Sequence, residues 1–410
     1  MSWRAVSFEE APFEIIDGDR GKNYPNQSQL LEEGHCLFLS ATNVTKNGFV
    51  FDSCQFVTQE KHEALRKGTV DRGDVVLTTR GTLGNVAYYS ESVPFAHVRI
   101  NSGMVTIKSD PQELLSNYVY YYLKSDLFQS QVRALQSGAA QPQLPIRDIK
   151  KIKFNYPDLP TQERIASILS AYDDLIENNR RRIALLEQAA RLLYREWFVH
   201  FRFPGHETAK FVDGLPEGWE VETYGDLFDF LGGFMFKSST YTTDGRYGVC
   251  TIKNVHDGKF VSDCPSRVAD VPTKMKPHCR LESGDVLLSL TGNVGRACVV
   301  VGNDYLLNQR VAKIVGKAQV PNTFVYWTFS NSSTIQDLEN LAHGVAQLNL
   351  SPVKLSGRPF LRPETEILKQ FDELGKPMLQ QIVSLTKQNT KLTAARDLLL
   401  PRLMDGRIPV

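Results

Sequence analysis

Residues 161–201 read TQERIASILSAYDDLIENNRRRIALLEQAARLLYREWFVHF, and the spacing of their apolar residues decides the architecture. Ile165, Leu169, Tyr172, Ile176, Ile183, Leu186, Ala190, Leu193 and Trp197 follow one another in steps of three and four, with Asn179 the one polar member of the series. That is the stripe of an amphipathic helix packed along its whole length. Forty helical residues rise about 60 Å, and neither Pro nor Gly interrupts them. Arg180, Arg181, Arg182, Glu187, Arg191 and Arg195 occupy the other faces, which excludes a membrane span. A helix of this length needs a partner of similar length.

The partner is predicted near the end of the chain. From about Glu364, the residues Phe371, Leu374, Met378, Ile382, Leu385, Leu392, Ala395 and Leu399 repeat the spacing, with Asn389 as a polar exception. Gly375-Lys376-Pro377 is expected to divide this stretch, because Gly suits a helix end and Pro a first turn, and Pro401 to stop it. Helix–helix packing is assigned to Ile165, Leu169, Tyr172, Ile176, Ile183, Leu186, Leu193, Met378, Ile382, Leu385, Leu392 and Leu399. A polar Asn in each seam is of the kind that fixes register.

Self-comparison shows why there are two such helices. GDVVLTTRGTLGNV from Gly73 matches GDVLLSLTGNVGRA from Gly284, an offset of 211. Asn43-Val44 with Gly48 aligns to Asn254-Val255 with Gly258, and SGAAQPQL from Ser137 matches HGVAQLNL from His343. The chain is a tandem repeat of a globular unit and a helix. MDGRIPV at the C-terminus and MSWRAV at the N-terminus together resemble FVDGLPEGWEV, which precedes the second copy. This pattern predicts that the termini meet in a pseudo-twofold cyclic arrangement. Within each unit, short β-rich runs (CLFLSATNV, DVVLTT, MVTIK; GVCTIKNV, DVLLSL, VAKIV) alternate with Gly, Asn and Asp turn signals, and a helical piece follows near 114–125 and 322–331. The unit is α+β with strands dominant.

Composition constrains function. The 410 residues are 42% hydrophobic and 23% charged, with a net charge of +1, so nucleic-acid binding must come from local basic patches. Cys36, Cys54, Cys250, Cys264, Cys279 and Cys298 lack CxxC spacing and read as reduced thiols of a cytoplasmic protein. The eight histidines show no metal-ligand spacing, so no metal is expected. No phosphate loop, HExxH, GxSxG or NPPY-type tetrapeptide occurs. Asp173-Asp174 reads as a solvated or capping pair. A binding protein is favoured over a catalyst.

Three loop sets carry polar chemistry suited to bases and phosphates. After the GDVVL and GDVLL runs stand Thr79, Arg80, Thr82 and Asn85 in the first copy, and Thr291, Asn293 and Arg296 in the second. Near the start of each unit are Lys22 and Asn23, and Lys237 and Ser238; near its end are Gln141 with Gln143, and Gln347 with Asn349. Tight turns with incidental polar residues remain the plain alternative.

The segment LPTQERIASILSAYDDLIENNRRRIALLEQAARLLYREWFVHF resembles the central conserved region of the specificity subunit of type I restriction–modification systems. Its P-x-L-P-x-Q-x-x-I-A-x-x-L opening, D-x-x-I-E-x-N-x-R centre and E-W-F-V-x-F close are all present. LPEGW before the second unit and G-x-x-Q-x-x-L before each helix also fit; the C-terminal helix departs from the pattern at RPETEILKQF and Pro377. The resemblance implies a first target recognition domain at 1–155, a central helical region at 156–205, a second recognition domain at 206–361 and a C-terminal helical region at 362–410. Its two helices would pack as an antiparallel coiled-coil spacer. It further implies a non-catalytic subunit that reads an asymmetric two-part double-stranded DNA target and docks two methyltransferase subunits. Motor–nuclease subunits, S-adenosylmethionine, ATP and Mg would belong to the rest of the complex, with no cofactor bound here. A coiled-coil scaffold without DNA, and an enzyme with an unseen motif, are the competing readings.

Overall fold

The computed structural model describes residues 3–136, 142–317, 319–342 and 348–410. They form two compact units, one of residues 1–175 with 392–410 and the other of 176–391. Each is built to the same plan.

In the first unit, the strands Phe13–Asp17, Met104–Ser109, Val75–Thr78 and Val86–Tyr88 lie side by side in that order, all antiparallel. Val75–Thr78 is buried throughout, so it reads as a continuous apolar run without alternation: both of its faces are covered. A second sheet orders Phe56–Val57, Cys36–Leu39, Val98–Ile100 and Thr69–Val70, with Cys36–Leu39 and Val98–Ile100 parallel. Between the first sheet and the helices Ser116–Lys124 and Asp126–Leu135 lies a core rich in aromatics, including Phe8, Tyr118, Phe128 and Phe154. The helix expected near 114–125 is followed by another, Asp126–Leu135, that was not expected.

The second unit repeats this order with Phe228–Gly232, Val311–Gly316, Val286–Ser289 and Ala297–Val299, and again with Arg267–Val268, Tyr247–Cys250, Tyr305–Leu307 and Arg280–Leu281. Tyr247–Cys250 and Tyr305–Leu307 are the parallel pair. The helices Asn322–Phe329 and Ser332–Leu341 complete it. In both copies a buried Asn organises the loop after the parallel strand. Asn43 donates to the carbonyls of Val50 and Ser53 (3.1 and 2.8 Å), and Asn254 to those of Val261 and Asp263 (2.8 and 2.9 Å). The Asn-Val…Gly repeat is therefore structural.

The central helix is Leu159–Phe198 and the C-terminal helix Thr365–Met404, 40 residues each. In the first unit, Ile165, Ala166 and Leu169 share a core with Leu400, Leu403 and Met404. In the second, Ala190, Tyr194 and Trp197 share one with Leu368, Phe371, Leu379 and Ile382. Asn179 donates to Asn389 Oδ1 at 2.9 Å, and Asn389 donates to the Ile176 carbonyl at 3.3 Å. Higher numbers on one helix meet lower numbers on the other, so the pairing is antiparallel, and the two asparagines predicted for the seam meet there. The first unit also holds both ends of the chain: the Trp3 indole lies 3.2 Å from where a Cβ of Gly406 would stand.

Four expectations for the helices fail. The C-terminal helix passes unbroken through Gly375, Pro377 and Pro401. Pro377 is exposed, so the carbonyl it leaves without a helical partner can face water. Gly375 is buried because a Cβ there would lie 2.6 Å from Thr323 Cγ2; it is a site of close approach, not a helix end. Leu374 is 49% exposed, and Leu379, at 8%, belongs to the stripe instead. Finally, Asp173 is not a solvated residue: it pairs with Arg396 Nη1 at 2.5 Å and accepts from Tyr121 Oη at 2.9 Å, tying both helices to the globular part of the first unit.

Candidate DNA interface

In each unit, four loops converge at one end of the antiparallel sheet. The first follows the edge strand. Gly18 and Gly233 open it in the two copies, and a Cβ on either would collide with a carbonyl, that of Asn101 or of Asn308. Only glycine lets this loop lie flat on the next one.

In the first unit, Arg20 then reaches across, donating to the Ser102 carbonyl at 3.1 Å and to Asp17 Oδ1 at 3.2 Å. Asp19 anchors the loop by accepting from the backbone N–H groups of Gly21 (2.7 Å) and Arg66 (2.8 Å). These bonds to the charged form hold its carboxyl below the ordinary aspartate range. Lys22 is exposed, whereas Asn23 is tied to the Ala64 carbonyl at 2.9 Å.

The loop after Val75–Thr78 is a closed turn. Thr78 Oγ1 donates to the Thr82 carbonyl and accepts from Asn85 N at 3.0 Å. Its counterpart uses Ser289 in the same way toward Asn293 and Arg296. The backbone then links the loops: Thr79 N and Arg80 N donate to the Gly103 carbonyl (2.8 and 3.1 Å), and Leu144 N donates to that of Thr79 (3.0 Å). In the second unit, Leu290 N donates to Arg310 O (3.0 Å) and Leu350 N to Leu290 O (2.8 Å). A cleft of about 160 Å³ in the first unit is lined by Asp17, Arg20, Thr79, Arg80, Gln143 and Leu144.

The structure thus gathers most of the residues chosen from sequence, but not all are available to a ligand. Arg80, Thr82, Asn293, Lys22, Lys237 and Ser238 are exposed; Thr79 and Thr291 are buried, with Thr291 Oγ1 donating to Asn349 Oδ1 at 2.9 Å. Two more are bonded within their own unit. Asn85 donates to the Val44 carbonyl at 2.9 Å, and Arg296 pairs with Glu339 at 3.3 Å on the helix beneath. Both hold the turn to its own unit. Gln141 and Gln347 lie outside the described residues.

The loops chosen near the start of each unit also hold Arg20 and its counterpart Met235 (67% exposed), whereas sequence reasoning missed Gln309 with Arg310 on the second unit's Asn308 loop. Gly18 and Gly233 stand at matching places ahead of the loop in the two repeats, which aligns Arg20 with Met235. Among the described residues, Lys22, Arg80, Lys237 and Arg310 have no carboxylate within ion-pairing distance, so each loop cluster presents unneutralised cations amid short polar side chains. That is the chemistry of phosphate and base-edge contact.

Comparison with known proteins accords with this geometry. The family model described as Type I restriction modification DNA specificity domain matches residues 13–188 and 216–376, once per repeat. The chain is 25% identical over 353 residues to the MjaIX specificity subunit of Methanocaldococcus jannaschii, covering 83% of this chain and 78% of that one. It is 22% identical to the HindI specificity subunit of Haemophilus influenzae, over 95% and 98% of the two chains. The crystal structure of a type I S subunit from M. genitalium has the same fold, with a TM-score of 0.61 and 18% identity over 98% of this chain and 96% of that one. Repeat, loop clusters and family match agree: the chain belongs to the DNA specificity subunits of type I restriction–modification systems.

Proposed function

We propose that each loop cluster reads one half of a two-part, asymmetric double-stranded DNA sequence, and that the paired helices set the unspecific gap between the halves. The observation that carries this reading is that one scaffold is built twice with different side chains at matching places: Arg20 against Met235, Arg80 against Thr291, Thr82 against Asn293. Identical scaffolds with unlike side chains would read unlike half-sites. Arg can bond bidentately to guanine, whereas Met offers an apolar contact to a thymine methyl.

Each helical stretch also leaves large apolar residues in water: Leu398 (65% exposed) and Leu175 (46%) in the first unit, and Leu185 (65%) and Leu192 (42%) in the second. Large apolar residues exposed on helices suit a protein partner, and we assign these surfaces to methyltransferase subunits, with motor–nuclease subunits joining the complex through them. S-adenosylmethionine, ATP and Mg would act on those partners.

Selection from random-sequence DNA by the chain assembled with its methyltransferase subunits tests the reading. Two conserved blocks separated by a fixed unspecific gap are expected, and Arg80→Ala should relax the first block alone. One continuous block, or no change with Arg80→Ala, contradicts it.

A further inference from the structure

Sequence spacing hides one cluster that folding assembles. His35 precedes the strand Cys36–Leu39 and His97 precedes Val98–Ile100; these strands are parallel neighbours, and the two imidazoles at their starts stack with centroids 4.3 Å apart. His62, on the short helix Gln59–Ala64, brings its ring to 5.5 Å from His35 and 5.7 Å from His97. One ring nitrogen of each lies within 4.8 Å of the others, and His35 and His97 are exposed. The linear spacing of the histidines carries no such signal, since these three come from separate segments.

The second unit shows what a merely structural junction looks like here. At the positions matching His35 and His97 it carries Arg246 and Asp304, an ion pair at 3.4 Å. The first unit replaces that pair with two imidazoles and adds a third. Arg99, buried behind the cluster, donates Nε–H to His62 Nδ1 at 2.9 Å and its other hydrogens to the carbonyls of Lys67, His62 and Leu65. It holds the His62 ring in place.

We propose that His35, His62 and His97 form a three-imidazole site for a divalent first-row transition metal of the zinc–nickel kind. Imidazole nitrogens suit these borderline ions, and three protein ligands leave a coordination position open to water or a fourth donor. Because Arg99 donates to His62 Nδ1, a metal on either ring nitrogen of His62 ends that hydrogen bond, by displacing Arg99 or by moving the ring proton to Nδ1, while Arg99 keeps its three carbonyl partners. The site is therefore weaker than a closed structural zinc site, and a metal there would pin the helix Gln59–Ala64 to the two strands.

The test uses the full chain, freed of metal by chelation and carrying no polyhistidine tag. Calorimetric titration with Zn²⁺ should show one equivalent bound, lost in the double variant His35→Ala/His97→Ala and kept in His256→Ala, which removes an exposed histidine of the second unit. Co²⁺ should give visible absorption bands distinct from those of the aquo ion, a readout that needs no variant. Absence of stoichiometric Zn²⁺ binding, binding that survives the double substitution, or an aquo-like Co²⁺ spectrum would each overturn the proposal.

Discussion

Replacing Asn389 with Leu tests whether the seam asparagines are coupled. Asn179 is 1% exposed and donates to Asn389 Oδ1 at 2.9 Å. Removing that acceptor strands a buried amide hydrogen, which costs about 1–3 kcal/mol. For a unit of this size the melting temperature should fall by about 2–12 °C, taking about 2–4 °C per kcal/mol. Asn179→Leu should cost less, because the group it orphans, Asn389 Oδ1, is only half-buried. The double variant Asn179→Leu/Asn389→Leu removes both polar groups and should recover most of the loss or exceed wild-type stability, since replacing a buried polar pair with apolar groups is often neutral or stabilising. What it should lose is register: the apolar seam no longer penalises a shift of one helix along the other. The assay is a double-mutant cycle by thermal or urea unfolding. Near-zero single costs that simply add in the double variant would refute the claim that these asparagines form one coupled pair.

Other perturbations follow from contacts already described. Gly375→Ala should destabilise by about 1–3 kcal/mol through overpacking against Thr323, despite the roughly 1 kcal/mol that alanine gains in helix propensity; a stabilised variant in urea unfolding would contradict the close approach. Asp19, whose folded pKa is lowered, contributes stability that is present above its unfolded value of about 3.9 and lost as pH falls through the folded value. The melting temperatures of wild type and Asp19→Asn should therefore differ at neutral pH and converge in acid, and a constant gap would refute the sign. Lys22→Ala should weaken DNA binding evenly across sequences and reduce the slope of log affinity against log salt by about 1, whereas a change in preferred sequence would place Lys22 at a base.

Much of the architecture was legible because it rests on repetition. The three-and-four stripe of the central helix and the match of Gly73 with Gly284 each report a geometric constraint that the structure meets. What failed was local grammar overruled by tertiary contact. Gly375 looks like a helix end until Thr323 is seen beside it, and Pro377 and Pro401 look like breaks until the long packed seam holds the helix through them. Propensity is a weak prior against such packing. At the interface, sequence identified the correct loops but not the direction of each side chain. Asn85 and Arg296 carry the right chemistry and spend it inward, on Val44 and Glu339. What Arg20 does in its loop depends on Ser102, 82 residues away. The histidine cluster draws on three segments, so no linear spacing reveals it.

The central claim is that two separate loop clusters read two separate half-sites. Exchanging residues 1–155 for those of another such subunit, co-expressing the chimera with its methyltransferase, and mapping the methylated bases in host DNA tests it most directly. The account predicts a two-part motif in which one half changes to that of the donor while the other half and the gap stay the same. Alteration of both halves, or of neither, would contradict it.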